Sequence, residues 1–283
     1  MIKIVESPRD GLQGIKNFIP TEKKIEYINL LLEIGFDIID FGSFVSPKVF
    51  PQMVDSGEVV DNLNDSETKL LAIVPNLKGA EDACRHDKIS YIGFPFSISN
   101  TFLERNIKSN INVSYNRAIE IIEESKNRDK GTIIYFSMGF GNPYEDKWSI
   151  ELLDKYIYLF VKNKVKIISL SDTIGCSRPE QIYEVFDYFI NEYPDIEFGF
   201  HLHTEKDQYY DRLKSAYDAG VRRFDSVVGG LGGCPSALLN GQLMSNLQTN
   251  DLVDFCSKEN IDINLNLDKL AEANNFLEKI INI

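Results

Sequence analysis

The sequence predicts an α/β fold, a (β/α)8 TIM barrel forming a single domain over residues 1–283, with an extra C-terminal helix. Three observations carry this. Short apolar runs alternate with longer amphipathic segments along the whole chain. The short runs are rich in Ile, Val and Phe and helical segments lie between them, the pattern of parallel strands joined by helical crossovers. Eight such runs within about 250 residues suit a barrel. An open doubly wound sheet is the alternative, but the first strand leads into ESPRDGLQG rather than a G-x-G-x-x-G turn.

In chain order, the predicted strands are IKIVE (2–6), FDIIDF (36–41), KLLAIVP (69–75), ISYIGFPF (89–96), TIIYFSMGF (132–140), KIISLSD (166–172), EFGFHLH (197–203) and RFDSVVGG (223–230). Between them EKKIEYINLLLEIG, NRAIEIIEESKN, ELLDKYIYLFVKN, PEQIYEVFDYFINEY and YYDRLKSAYDAG read as helices, two of them ending at Gly. A last helical stretch, 265–282, is expected on the barrel exterior or at a partner.

A net charge of −13 and a pI near 4.8 argue against a nucleic-acid binder. A small anionic ligand is still allowed, because a few local cations can override the global field. No apolar run is long enough to cross a bilayer, and MIKIVESPRDG lacks the basic-then-apolar layout of a signal peptide. Cys84, Cys176, Cys234 and Cys256 are far apart, with no C-x-x-C pair. The expected setting is therefore a reducing cytoplasm, with no membrane and no disulfide framework.

Active sites of such barrels sit at the C-terminal strand ends. The polar residues there are Arg9 and Asp10 after strand 1, Asp40 in strand 2, Asn76 after strand 3, Asn142 after strand 5, Asp172 ending strand 6, and His201 and His203 in strand 7. GGLGGCP follows strand 8. Strand alternation puts Phe198, Phe200 and Leu202 on one face and Gly199, His201 and His203 on the other. The apolar face belongs against the helices, so the histidine face points into the barrel mouth. Two imidazoles on adjacent same-face positions can chelate one divalent ion. They can equally be one hydrogen-bonded core histidine and one exposed one. The strand-end position and the nearby carboxylate of Asp10 favour metal, and this donor set suits a Lewis-acid cation better than a structural zinc site rich in cysteine.

ESPRDGLQ, SFVSPKVFPQM, VPNLKGAEDA, NPYE, SLSDTIG, HLH and GGLGGCP occur in this order. Together they resemble the hydroxymethylglutaryl-CoA lyase family, within the DRE-TIM metallolyases, over about residues 3–255. The resemblance implies retro-Claisen cleavage of 3-hydroxy-3-methylglutaryl-CoA to acetyl-CoA and acetoacetate. It implies metal ligation by Asp10, His201, His203 and Asn246, with Asn240 as the competitor for the last place. The cation would be Mg²⁺ or Mn²⁺, with Zn²⁺ as a further candidate. Catalytic roles fall on Arg9 as enolate stabiliser, Cys234 as proton carrier on a closing glycine-rich loop, and Asp40, Asp172 and His201 as acid–base or supporting groups. For Arg9 the alternative is a salt bridge to a barrel-top acid such as Asp40; for Asp172 it is capping of the next helix. Lys48 and Asn76, with Lys78, are the candidates to face acyl-CoA, although a solvated lysine is the plainer reading for Lys48 or Lys78. A homodimer is expected from the family.

The pattern departs from the family at four places. Asp40 stands for Glu, Thr204 follows HLH where the family has Asp, Ser245 replaces a Gly, and Asn250 replaces a Glu. Groups around a metal site tune ligand orientation and affinity, so another 3-hydroxy-acyl-CoA is an allowed substrate. Two other classes fit less well. A condensing acyltransferase using acetyl-CoA and a 2-oxo acid usually carries an added C-terminal region. A non-catalytic acyl-CoA-binding relative would have lost Arg9, a histidine or Cys234.

Overall fold

The computed structural model describes residues 1–205, 207–233 and 244–281. Its eight strands are β1 (Lys3–Glu6), β2 (Ile38–Ser43), β3 (Lys69–Ile73), β4 (Ile89–Ser97), β5 (Gly131–Ser137), β6 (Ile167–Asp172), β7 (Glu197–Leu202) and β8 (Arg223–Ser226). They form a closed barrel in sequence order. Every neighbouring pair is parallel, and β1 closes on β8 with Lys3 opposite Arg223 and Glu6 opposite Ser226. Each of the eight strands lies within one of the runs predicted from sequence or overlaps it closely.

The first helices are α1 (Pro8–Leu12), α2 (Thr21–Leu32), α3 (Ser56–Asp61), α4 (Leu77–Ala83), α5 (Asn100–Ile107) and α6 (Ile111–Asn127). They are followed by α7 (Ile150–Lys162), α8 (Pro179–Glu192), α9 (Tyr209–Asp218), α10 (Thr249–Lys258) and α11 (Leu267–Ile281). Helix α7 shows why these segments are helical. Ser149 caps it by accepting from Leu152 N at 3.2 Å. Leu153, Tyr156, Ile157 and Phe160 then recur at i, i+3, i+4 and i+7 and are buried. Phe160 meets Phe96 and Phe136 at ring-centroid separations of 5.1 and 5.8 Å. Burying one such ring stabilises the fold by about 1.5–3 kcal/mol. Helix α6 begins at Ile111, five residues before the segment read from sequence, because the Asn110 side chain caps it, accepting from Val113 N at 3.0 Å.

The extra C-terminal helix is present as α11. It lies against α2, where Phe276 stacks on Tyr27 at 6.2 Å, and against the turn at 228–230.

Alternation along β7 runs as expected. Phe198, Phe200 and Leu202 join the core between strands and helices, while His201 and His203 line the upper cavity. A separate apolar cluster of Val5, Ile38, Leu71, Ile73, Ile133 and Tyr135 gathers residues from β1, β2, β3 and β5. In β2 the register shifts between Asp40 and Gly42. That irregularity lets Asp40 and Ser43, three residues apart, both line the same cavity.

Candidate active site

The C-terminal ends of the strands enclose a cavity of about 580 Å³. Its floor is built from three places in the sequence. Residues 7–13 leave β1 and turn at once into α1, with Pro8 fixing the first helical position. That turn carries Arg9 and Asp10 to the rim of β1. The Arg9 guanidinium reaches across to Asp40 on β2, with Nε at 3.0 Å and Nη2 at 2.5 Å from Oδ2. Its Nη1 lies 2.9 Å from Asp10 Oδ1. Gln13, one turn along, donates to the same Asp10 oxygen at 2.6 Å.

The other Asp10 oxygen faces β7. Asp10 Oδ2 lies 3.9 Å from His201 Nε2, and the Nε2 atoms of His201 and His203 are 3.1 Å apart. Donor atoms of Asp10, His201 and His203 all fall within 4.8 Å of one another. Asn246 completes the ring. Its amide nitrogen is 2.8 Å from both Asp10 Oδ2 and the Leu231 carbonyl, and its backbone pairs with His203 in an isolated antiparallel bridge. Gly232 permits this closeness: a Cβ there would sit 2.4 Å from Asp10 O and 2.8 Å from Asn246 Nδ2, and its φ is +90°.

Burial and charge set the protonation of this group. For Asp10, burial works upward, but Arg9, the two histidines and Asn246 outweigh it and hold the carboxyl below its usual range. Burial would lower Arg9, yet Asp40 and Asp10 hold it firmly protonated. Asp40 is pushed up to about 6 because burial exceeds the pull of Arg9. Burial, then the proximity of His201, drives His203 down to about 3, so it is a neutral donor at pH 7. For His201 burial also acts downward, but Asp225 and Asp10 prevail and raise it.

This donor set fits a divalent cation. One carboxylate and two imidazole nitrogens match what Mg²⁺, Mn²⁺ or Zn²⁺ accepts, and Asn246 would join them through its amide oxygen, since the nitrogen it turns to Asp10 is a donor only. His201 carries the outer contact that metal-binding histidines usually have: its Nδ1 is 3.1 Å from Asp225 Oδ2, which turns Nε2 toward the ring. His203 Nδ1 faces the Thr173 backbone without closing a well-formed hydrogen bond.

The structure places other sequence candidates differently. Asp172 was expected as a supporting group with acid–base duty, with capping of the next helix as the alternative. Instead its carboxylate accepts from Cys176 N and Ser177 N, both at 3.0 Å, and from Ser177 Oγ at 2.5 Å. It ties down the turn before α8, while its neighbours Ser171 and Thr173 line the cavity. Asn76 lies on the wall, but its side chain caps α4, accepting from Gly79 N at 2.9 Å. Lys48 is exposed and stands outside the lining, to which Ser46 and Val49 contribute. Lys78 pairs with Asp82 on the surface. Asn142 organises its own loop, accepting from Tyr144 N and Asp146 N. Cys234 and Asn240 lie outside the described residues.

Sequence reasoning missed the cations of the cavity wall. Arg105 and Lys108, at the end of α5, and Arg117, on α6, line the outer cavity. Arg105 sits over the Tyr144 ring at 4.6 Å, and Arg117 Nη1 reaches the Pro75 carbonyl at 3.4 Å. Asp225 was missed too; its only signal was an acidic residue on the inward face of β8.

Residues 2–277 match the family model described as HMGL-like. Mitochondrial hydroxymethylglutaryl-CoA lyase from Macaca fascicularis is 35% identical over 99% of this chain and 86% of its own length. The human mitochondrial protein is 35% identical, with the same shares covered. Among solved structures, an HMG-CoA lyase from Acinetobacter baumannii in complex with coenzyme A and 3-methylmalate aligns with a TM-score of 0.92 at 31% identity. That alignment covers 100% of this chain and 92% of the other. The Bacillus subtilis HMG-CoA lyase aligns at TM-score 0.92 and 30% identity, over 99% of this chain and 94% of its own.

Proposed function

This chain belongs to the HMGL-like family, and on that premise we propose that it is a divalent-metal-dependent carbon–carbon lyase that cleaves 3-hydroxy-3-methylglutaryl-CoA to acetyl-CoA and acetoacetate. The observation that carries the reading is the convergence of Asp10, His201, His203 and Asn246 beside Arg9 at the floor of a cavity with a cationic outer wall.

A divalent cation held by Asp10, His201, His203 and Asn246 would supply Lewis acidity toward the substrate's 3-hydroxyl and its neighbouring oxygen. Asp40 holds Arg9 through Oδ2, while Oδ1 meets no hydrogen-bond partner among the described residues. A carboxyl near 6 in such a place suits a base at neutral pH, and we assign it the hydroxyl proton. The carbon–carbon bond then breaks and leaves a thioester enolate. Arg9, fixed by two carboxylates, presents charge and donors to that oxygen without reorganising. Protonation of the enolate carbon falls to Cys234, on the strength of the family motif GGLGGCP. Arg105, Lys108 and Arg117 supply positive charge for the phosphates of coenzyme A. The relative crystallised with coenzyme A supports the same ligand class.

The test is acetoacetate release from 3-hydroxy-3-methylglutaryl-CoA with Mn²⁺ or Mg²⁺, repeated with EDTA and with Cys234→Ser. The expected result is release that EDTA abolishes and that falls by about 10²-fold or more in the variant. An enzyme that binds the cation but releases no acetoacetate would refute the substrate assignment.

A further inference from the structure

Barrel interiors are usually filled by layers of branched apolar side chains. Strand β8 departs from this. Arg223 is 0% exposed and occupies the interior opposite Gly199, its register partner on β7. A Cβ on Gly199 would lie 2.9 Å from Arg223 Cδ, so the absent side chain is the slot in which the arginine stem fits.

The Arg223 guanidinium connects two levels of the barrel. Below, Nη1 lies 3.2 Å from Glu197 Oε1, and Glu197 pairs with Lys3 at the lower mouth. Above, Asp225 is two residues further along the same strand and so faces the same interior. Asp225 is 2% exposed, and its Oδ2 is the acceptor 3.1 Å from His201 Nδ1. Its Oδ1, like Nε and Nη2 of Arg223, has no hydrogen bond of good geometry among the described residues. Burial opposes the charge on Arg223, while Tyr135, Asp225 and Glu197 favour it, across a space closed to solvent where such attraction is stronger than in water.

We propose that Arg223 is a positioning residue for the metal ring. Its buried charge holds the Asp225 carboxylate in the orientation that fixes the His201 imidazole, and Gly199 and Arg223 act as one unit. The proposal rests on the reading of His201 as a metal ligand. A purely structural role, balancing Glu197, would leave the metal ring unaffected.

The experiment is calorimetric titration of Mn²⁺ into the metal-free chain, for the wild type, Arg223→Met, Arg223→Lys, Asp225→Asn and the Arg223→Met/Asp225→Asn pair, with Tm recorded for each. Partners one shell outside a metal contribute about 10–100-fold in affinity. Arg223→Met should weaken Mn²⁺ binding by about the lower end of that range. Arg223→Lys should recover most of the loss, and Arg223→Met should add little in the Asp225→Asn background. Wild-type Mn²⁺ affinity in Arg223→Met, even with a lowered Tm, would overturn the proposal, as would equal losses in both backgrounds. Should Arg223→Met not fold, Arg223→Gln decides: it keeps a polar stem but removes the charge, so unchanged affinity overturns the proposal and a loss supports it. A wild type that binds no Mn²⁺ would instead refute the metal reading beneath it.

Discussion

Replacing Glu6 with Gln should make stability less sensitive to pH. Glu6 ends β1 and is 0% exposed. Its Oε1 accepts from Val228 N at 2.7 Å and its Oε2 from Thr249 Oγ at 2.6 Å. It thereby ties β1 to both ends of the segment that carries Cys234 and Asn246. Burial outweighs these hydrogen bonds and pushes its carboxyl from 4.5 up to about 8. Below pH 4.5 both folded and unfolded chains hold the proton, so the group is neutral in the balance. As pH rises from 4.5 to 8 the unfolded chain releases it first. Each unit then lowers folding stability by about 1.4 kcal/mol, to an upper bound of ~5 kcal/mol above pH 8. Gln keeps the acceptor for Val228 and can donate to Thr249 Oγ, which passes its own proton to Ser226 Oγ at 3.0 Å. Urea unfolding of both chains, metal-free, at pH 4.5, 6.5 and 8.5 should therefore show near-equal stability in acid and a growing advantage for Glu6→Gln in base. A stability difference that stays constant over that range would refute the argument that Glu6 is buried as the neutral acid.

Two further outcomes follow from the cavity. Arg9→Lys keeps the charge but loses the planar fork that spans Asp40 and Asp10, so kcat should fall by about 10²-fold with Mn²⁺ still bound; a kcat within twofold of wild type would remove Arg9 from the chemistry. Lys108→Ala combined with Arg117→Ala should raise KM for the CoA thioester by about tenfold at nearly constant kcat, since uniform binding is what is lost; an equal effect on a truncated thioester lacking the nucleotide would show that these cations do not meet the phosphates.

The strands were legible because a parallel barrel strand is covered on both faces, which writes nearly continuous apolar runs into the chain. The long helices were legible for the reason α7 shows: three or more turns leave room for a repeating apolar face. Helices α3, α4 and α5, of six to eight residues, are too short for that repeat. Their clearest marks are single caps, such as Asn76 for α4 and Ser99 for α5. That is also why the wall cations escaped notice, since Arg105 and Lys108 sit at the end of a helix with no periodic signal. The meeting of Asp10, His201 and His203 was readable from strand ends and alternation, and Asn246 came from the family motif. Asp172 stayed open between two readings because a strand-end acid looks the same in sequence whether it faces the cavity or holds a turn. The turn hydrogen bonds to Cys176 and Ser177 decide between them.

The four departures from the family pattern fall outside the donor ring, and their placement shows what they alter. Asp40 is one methylene shorter than the usual Glu, yet Arg9 closes the gap with two contacts to a single oxygen. Thr204, in place of an acid beside His203, is 4% exposed and lies 3.3 Å from Arg212 Nη1. Arg212 Nη2 in turn donates to the Gly175 carbonyl at 3.0 Å. The loops after β6 and β7 are therefore joined by a buried cation, and an aspartate at 204 would add a charge to a bridge that already works with a hydroxyl. Ser245 is exposed, and its carbonyl accepts from Thr204 N at 2.9 Å, a backbone bond that any residue could make. Asn250 is exposed on α10, where its Oδ1 accepts from Asn274 Nδ2 at 3.5 Å. Three of the four changes therefore touch loop and surface contacts, and only Asp40 meets the Arg9 side chain directly. Altered metal affinity is thus the consequence to look for before a change of reaction.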